Sequence, residues 1–174
     1  MTPFRALFVA MVATVLLVGA RSGAEAQFPR GLLAAPPGEK DKPSNGACTI
    51  ETRPLSFGNF DPEANADLDA VAQVIYTCNQ HASKIRIEMT TGTGNQFTPR
   101  HMYASGVDAL DYNIYLDATR QTIWGQGLYG TDVYFESNPP NSTPVIVPAY
   151  GRIRSRQNPP PGQYVDVLTV RVLF

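Results

Sequence analysis

The sequence predicts an all-β protein built as two packed sheets. Apolar residues recur with a period of two along most of the chain after Cys48, and no stretch keeps a helical period over three turns. Clusters of Gly, Pro, Asn and Asp separate the alternating runs at the spacing expected of a sandwich.

The N-terminus precedes the fold. Arg5 gives a short positive region, "ALFVAMVATVLLVGA" is an apolar run of signal-peptide length, and Ala24-Glu25-Ala26 has the small-x-small pattern that a signal peptidase reads. Cleavage is expected before Gln27, so residues 1–26 read as a signal peptide. The run is shorter than the roughly 18 to 20 residues of a spanning helix and Arg21 closes it, so no membrane anchor is expected once it is removed. Residues 27–47, "QFPRGLLAAPPGEKDKPSNGA", carry prolines, glycines and a charged cluster that argue against a helix or a central strand, and read as a flexible leader. The domain is expected to span residues 48–174.

Seven runs supply its strands. "CTIETRPLSF" opens the domain, and "AVAQVIYTC", more apolar throughout, suits a more buried strand ending at Cys78. The stretch before it, "DPEANADLDAVAQ", has room for one short helical turn. "KIRIEMT" sets Ile85, Ile87 and Met89 against Lys84, Arg86 and Glu88, the pattern of a half-buried antiparallel strand. "LDYNIYLD" repeats it, with Leu110, Tyr112, Ile114 and Leu116 inward and Asp111, Asn113 and Asp117 outward. "GTDVYFES" and "TPVIVPAYGRIR" follow, and "GQYVDVLTVRVLF" ends the chain. In that last run Leu168, Val170, Val172 and Phe174 take the core side, because Arg171 on the other face belongs in water. An edge strand this apolar is a pairing hazard that proteins usually blunt with charge, proline or a covering segment. No residue after Phe174 is there to cover it.

Charge and cysteines narrow the function. The chain has 14 basic and 15 acidic residues, and loss of Arg5, Arg21 and Glu25 leaves a net charge near −2, without the clustered basic patch that a nucleic acid or an anionic membrane needs. Two cysteines, Cys48 and Cys78, in an exported chain read as a disulfide. Closing a loop of about 30 residues stabilises by roughly 3 to 4 kcal/mol in the chain-entropy model.

Catalytic and metal motifs are missing. His81 and His101 sit in loop-like contexts, with no H-E-x-x-H, G-x-S-x-G or C-x-x-C. Asp108, Asp111, Asp117 and Asp132 lack calcium-loop spacing and suit turns or strand surfaces. No enzyme activity, cofactor or metal is expected. Asn141-Ser142-Thr143 matches a glycosylation sequon, which matters only in a eukaryotic secretory route. The candidate ligand loop is "IWGQGLYG", where Trp124 and Tyr129 could form an aromatic platform for a sugar; the plainer reading packs Trp124 at one end of the sandwich.

Taken together, "CTIETRPLSFGNFDP", "IYTCNQ", "TTGTGNQFTPRHM", "LDYNIYLDATRQTIWGQGLYGT", "AYGRI" and "PPGQYVDVLTVRVLF" resemble the spore coat protein U domain. Pilins of archaic chaperone-usher pili, including some biofilm pili, use that domain. The resemblance implies an incomplete immunoglobulin-like β-sandwich that lacks its final strand and is completed by donor-strand complementation. It also implies a periplasmic chaperone, an outer-membrane usher and other pilin subunits as partners, at a cell-surface pilus reached through the periplasm. By the same resemblance Leu168, Val170, Val172 and Phe174 line one side of the donor-strand groove and Ile50 the other. The leader sets Phe28, Leu32 and Leu33 out of strand register and breaks them with Pro29, Pro36 and Pro37, which suits a chain that accepts a strand rather than donates one, as a tip or minor subunit does. The rival readings are a self-sufficient secreted carbohydrate-binding module and a surface-coat β-sandwich protein.

Overall fold

The computed structural model describes residues 7–13, 47–79, 82–104 and 108–174. The expected cleavage site, almost all of the leader and His81 lie outside the described residues.

Ten strands and no helix occur among the described residues. They are β1 (Leu7–Ala13), β2 (Ala47–Arg53), β3 (Leu55–Gly58), β4 (Leu68–Asn79), β5 (Ile85–Met89), β6 (Arg100–Ala104), β7 (Asp108–Tyr115), β8 (Tyr134–Glu136), β9 (Val145–Ile153) and β10 (Val165–Leu173). One layer runs β2-β4-β9-β7-β6, every pair antiparallel. The other runs β3-β1-β10-β5-β8. A single pair, Val165 with Tyr103, ties β10 to β6 and makes the seam between the layers.

Local sequence explains most of these boundaries. Pro54 has no N–H for the ladder with β4, so the pairing of β2 stops at Arg53 and the chain crosses to the other layer as β3. The first alternating run is therefore two strands, not one. The stretch before Ala70 holds a single turn, in which Ala64 N donates to Asp61 O at 3.2 Å, but no helix, and β4 begins at Leu68. Of "GTDVYFES", Tyr134–Glu136 forms a strand against β5, and Asp132 makes an isolated bridge to Trp124. Cys48 and Cys78 face each other directly across β2 and β4 and form the disulfide.

The core is the inner rows of the two layers. Leu55, Phe57, Val74, Ile85, Ile87, Met89, Leu110, Ile114, Leu168 and Val170 are among its buried members. The layers meet closely where β9 crosses β3: a Cβ on Gly151 would lie 2.5 Å from Leu55 Cδ2 and 2.8 Å from the Phe57 ring. Contact that tight leaves no room for a methyl group. Phe57 also meets Tyr112 edge to face, with ring centroids 6.2 Å apart.

Gly151→Ala should destabilise the domain by about 1 to 3 kcal/mol through overpacking, read as a lower thermal midpoint; an unchanged midpoint would show that Leu55 and Phe57 yield freely. On the surface, Arg152 Nε and Nη2 donate to Asp69 Oδ1 and Oδ2 at 2.7 and 2.8 Å, and Arg120 Nε lies 3.2 Å from Asp69 Oδ1. The hydrogen bond from Arg152 holds the Asp69 carboxyl below its ordinary value of 3.8. Its contribution to stability is thus present above that value and lost as pH falls through the lowered one. In acid titrations followed by thermal unfolding, Asp69→Asn should lose stability less steeply than the parent; parallel acid limbs would count against it.

Candidate functional site: a lane between two strand edges

The functional candidate is the lane between β10 and β3. In this structure β1 fills it, parallel to β10 with Phe8 opposite Val165 and Ala13 opposite Val170. Along its other edge β1 runs antiparallel to β3, with Leu7 opposite Gly58 and Val9 opposite Leu55. Both edges of the filling strand are thus hydrogen-bonded, as in the middle of a sheet.

β10 gives the lane its firm wall. Its core face carries Asp166, Leu168, Val170 and Val172, all buried, while Phe174 beyond its end is partly buried against the core. The edge turned away from the lane is already engaged. β5 pairs with Val170 to Leu173, Thr169 N donates to Thr90 Oγ1 at 2.9 Å, and Thr90 N donates to Thr169 O at 3.1 Å. What remains for the lane is the opposite edge.

The strand that pairs with the lane's occupant on this side is β3. Ile50, expected on that border, sits in β2 opposite Tyr76 of β4, partly buried against the core. The crossing at Pro54 puts Leu55 and Phe57 on the border instead, both buried. Gly58, with φ of +76°, ends that strand in a conformation glycine adopts readily.

Sequence reasoning missed a buried polar cluster that anchors β10 near the seam. Asp166 Oδ2 accepts a 2.6 Å hydrogen bond from Tyr112 Oη, while Oδ1 accepts from Thr93 N, Thr93 Oγ1 and Val167 N, each at 2.8 Å. The Thr93 turn depends on Gly92: with φ of +77°, any Cβ there would stand 2.1 Å from Asp166 Oδ2. Burial, and then the Asp166 carboxylate, push the Tyr112 phenol well up, so it stays a donor. Beside it Arg100 is 0% exposed. Its Nη1 donates to Asn113 Oδ1 at 2.6 Å, and Nη2 donates to Trp124 O at 2.6 Å and Thr90 O at 3.1 Å. Burial lowers its pKa to about 10, against the pull of Tyr112 and Asp166, so it remains a cation at neutral pH. The period-two row from Leu168 back to Asp166 was the signal for an inward carboxylate; a polar residue on a core row needs buried partners.

The candidate ligand loop divides. Trp124 is 0% exposed and its Nε1 donates to Ile87 O at 2.9 Å, so it is a core residue, not half of an aromatic platform. Tyr129 is 84% exposed at the loop tip. His101, expected in a loop, lies in β6 with Nδ1 2.7 Å from Asp111 Oδ1. Asp117 caps its turn by accepting from the Thr119 hydroxyl, Thr122 N and Gln121 N. Among the described residues no cluster of His, Cys, Asp or Glu could hold a metal ion.

Trp124→Phe should strand the Ile87 carbonyl and lower stability by about 1 to 3 kcal/mol, whereas Tyr129→Ser should leave the thermal midpoint within error. Equal midpoints for the two variants would overturn this division of the loop.

Three comparisons place the fold among known proteins. The chain is 29% identical over 147 residues to Protein U of Myxococcus xanthus, covering 74% of this chain and 78% of that protein. Its structure resembles a chain of the CsuC-CsuE chaperone-tip adhesion subunit pre-assembly complex from the archaic chaperone-usher Csu pili of Acinetobacter baumannii, with a TM-score of 0.52 and 19% identity. That match covers 74% of this chain and 40% of the other, so this chain spans less than half of its structural neighbour. The family model for the Spore Coat Protein U domain matches residues 43–171, from just ahead of β2 to within β10, and the chain belongs to that family.

Proposed function

We propose that the chain is an exported structural subunit of a chaperone-usher-type surface pilus, and that the lane between β10 and β3 receives a strand from a partner molecule. One observation carries the reading. The segment in the lane, Leu7–Ala13, belongs to the apolar run that reads as a signal peptide. Removal of residues 1–26 by signal peptidase takes that strand away and leaves two facing edges with unmet N–H and C=O groups above a row of core side chains. An exported chain in that condition needs a strand from elsewhere.

In this reading a periplasmic chaperone fills the lane first, an outer-membrane usher receives the complex, and another subunit's strand replaces the chaperone's in the fibre. Each main-chain hydrogen bond in the lane contributes about 0.5 to 1.5 kcal/mol net, and each fully buried apolar side chain about 1.5 to 3 kcal/mol, so one strand suffices for a joint that rarely opens. No catalysis is required. The family membership and the fold shared with a chaperone-bound pilus subunit support the assignment. The prolines of the leader favour a subunit that accepts a strand and does not donate one, hence a tip or minor position, with adhesion and biofilm formation as the role of the fibre.

The test compares residues 27–174 alone with the same chain carrying a donor strand, taken from a shaft pilin leader, fused through a flexible linker after Phe174. The fusion should raise the thermal midpoint by about 10 °C or more and suppress aggregation. A stable monomer that gains nothing from the fusion would overturn the reading.

A further inference from the structure

On the outer face of the β7–β9 pair, away from the lane, lies an open cleft of about 510 Å³. We propose that this cleft binds an acidic saccharide, with the sugar carboxylate at Arg154 and ring hydroxyls at Tyr115, Ser155 and Thr98. The inference stands on its own geometry and does not depend on the lane receiving a partner's strand.

The walls are fixed before any ligand arrives. Gln157 clips the loop after β9 onto β7, its Oε1 accepting from Asp111 N at 2.8 Å and its Nε2 donating to Asp111 O at 2.9 Å. Asn113, on the floor, spends its side chain on Arg100, Phe97 O and Ile114 N. Arg152 is occupied by Asp69, and the Asp111 carboxylate by His101.

The groups left over are mostly donors. Tyr115 lines the cleft, and its hydroxyl has no hydrogen-bond partner among the described residues. The Ser155 and Thr98 hydroxyls and the exposed Arg154 guanidinium are likewise without partners among the described residues. Beneath the floor, buried Arg100 hydrogen-bonds to Asn113 and main-chain carbonyls, and the buried Asp166 carboxylate offsets part of its charge. Unspent hydroxyls beside the exposed Arg154 guanidinium suit an anion that also carries hydroxyl groups. The cleft falls in the usual range for small-molecule sites, about 300 to 1,000 Å³, far larger than a lone carboxylate fills. Pro99 and Ile123 add apolar wall for the face of a sugar ring.

Titration of the folded, strand-complemented chain with oligogalacturonate, followed by NMR chemical shifts, should show saturable binding centred on Tyr115 and Arg154. Galactose oligomers of equal length, acetate and phosphate should bind at least about tenfold more weakly. Arg154→Gln should lower the affinity about tenfold and Tyr115→Phe by a smaller factor, both with unchanged thermal midpoints. Absence of oligogalacturonate binding, equal binding of the neutral oligomer or of acetate, or undiminished binding by Arg154→Gln would each overturn the proposal. Because the probe protein already carries its donor strand, none of these results bears on how the lane is used.

Discussion

Everything in this fold depends on two strand edges, β10 and β3, finding a partner between them. They lie in one layer but never touch as a pair; each bonds instead to the strand in the lane. Main-chain groups cannot be left dry without cost, and an unpaired edge in water is an invitation to any extended chain. Take the middle strand out, and the second layer is cut into β3 on one side and β10-β5-β8 on the other. The buried rows on β3 and β10 then lose their cover together. The lane is therefore at once the weakest point of the architecture and its most selective demand: it asks for an extended strand.

What keeps the rest of the domain in shape is arranged around β10. Asp166 ties the start of that strand to Tyr112 of the opposite layer and to the Thr93 turn, while Thr90 and β5 take its far edge. Arg100 gathers Thr90, Asn113 and Trp124 into the same cluster. Buried charges cost desolvation and contribute little net stability, but they are intolerant of misregister, because a shifted strand would leave a carboxylate without donors. A wall that holds its register is what a lane needs if strands are to come and go. The Cys48–Cys78 bridge plays the matching part at the far edge of the first layer, where β4 is the one strand that β2 pairs with among the described residues.

Most strands were legible because their inner and outer faces differ in polarity. Ile85, Ile87 and Met89 alternate with charged residues, whereas Leu168, Val170 and Val172 alternate with Val167, Thr169, Arg171 and Leu173, where Arg171 alone marks the outer face by charge. β6 escaped notice because its inner row begins with Arg100, which period-two reasoning assigns to solvent. Asn113 failed in the same way: alternation places it outward, yet the Phe97–Pro99 stretch covers that face and buries it. The pairing of the lane's strand with Leu55 to Gly58, and not with the strand that holds Ile50, has another origin. The apolar positions change phase at Pro54, from even ones (Cys48, Ile50) to odd ones (Leu55, Phe57), and that shift together with the missing N–H marks where the chain changes layers. Tertiary cover and layer switching are non-local, and a single sequence carries them only as isolated oddities: an inward aspartate, a proline within a run.

That Leu7–Ala13 fits the lane says something about its selectivity. The segment is an uninterrupted apolar stretch with no charge and no proline. It satisfies both edges through its backbone, and the ladder itself is blind to side chains. Discrimination between occupants must then rest on the inward positions, set by the spacing of Leu168, Val170 and Val172 on one wall and Leu55 and Phe57 on the other. A one-residue slip turns every side chain of the incoming strand to the opposite face, so an occupant with true alternation is held in one register, while a uniformly apolar one can slide. In the proposed reading this difference favours a patterned donor over any merely hydrophobic segment. It also gives a physical reason for a subunit joint to be unique in register although most of its hydrogen bonds are generic.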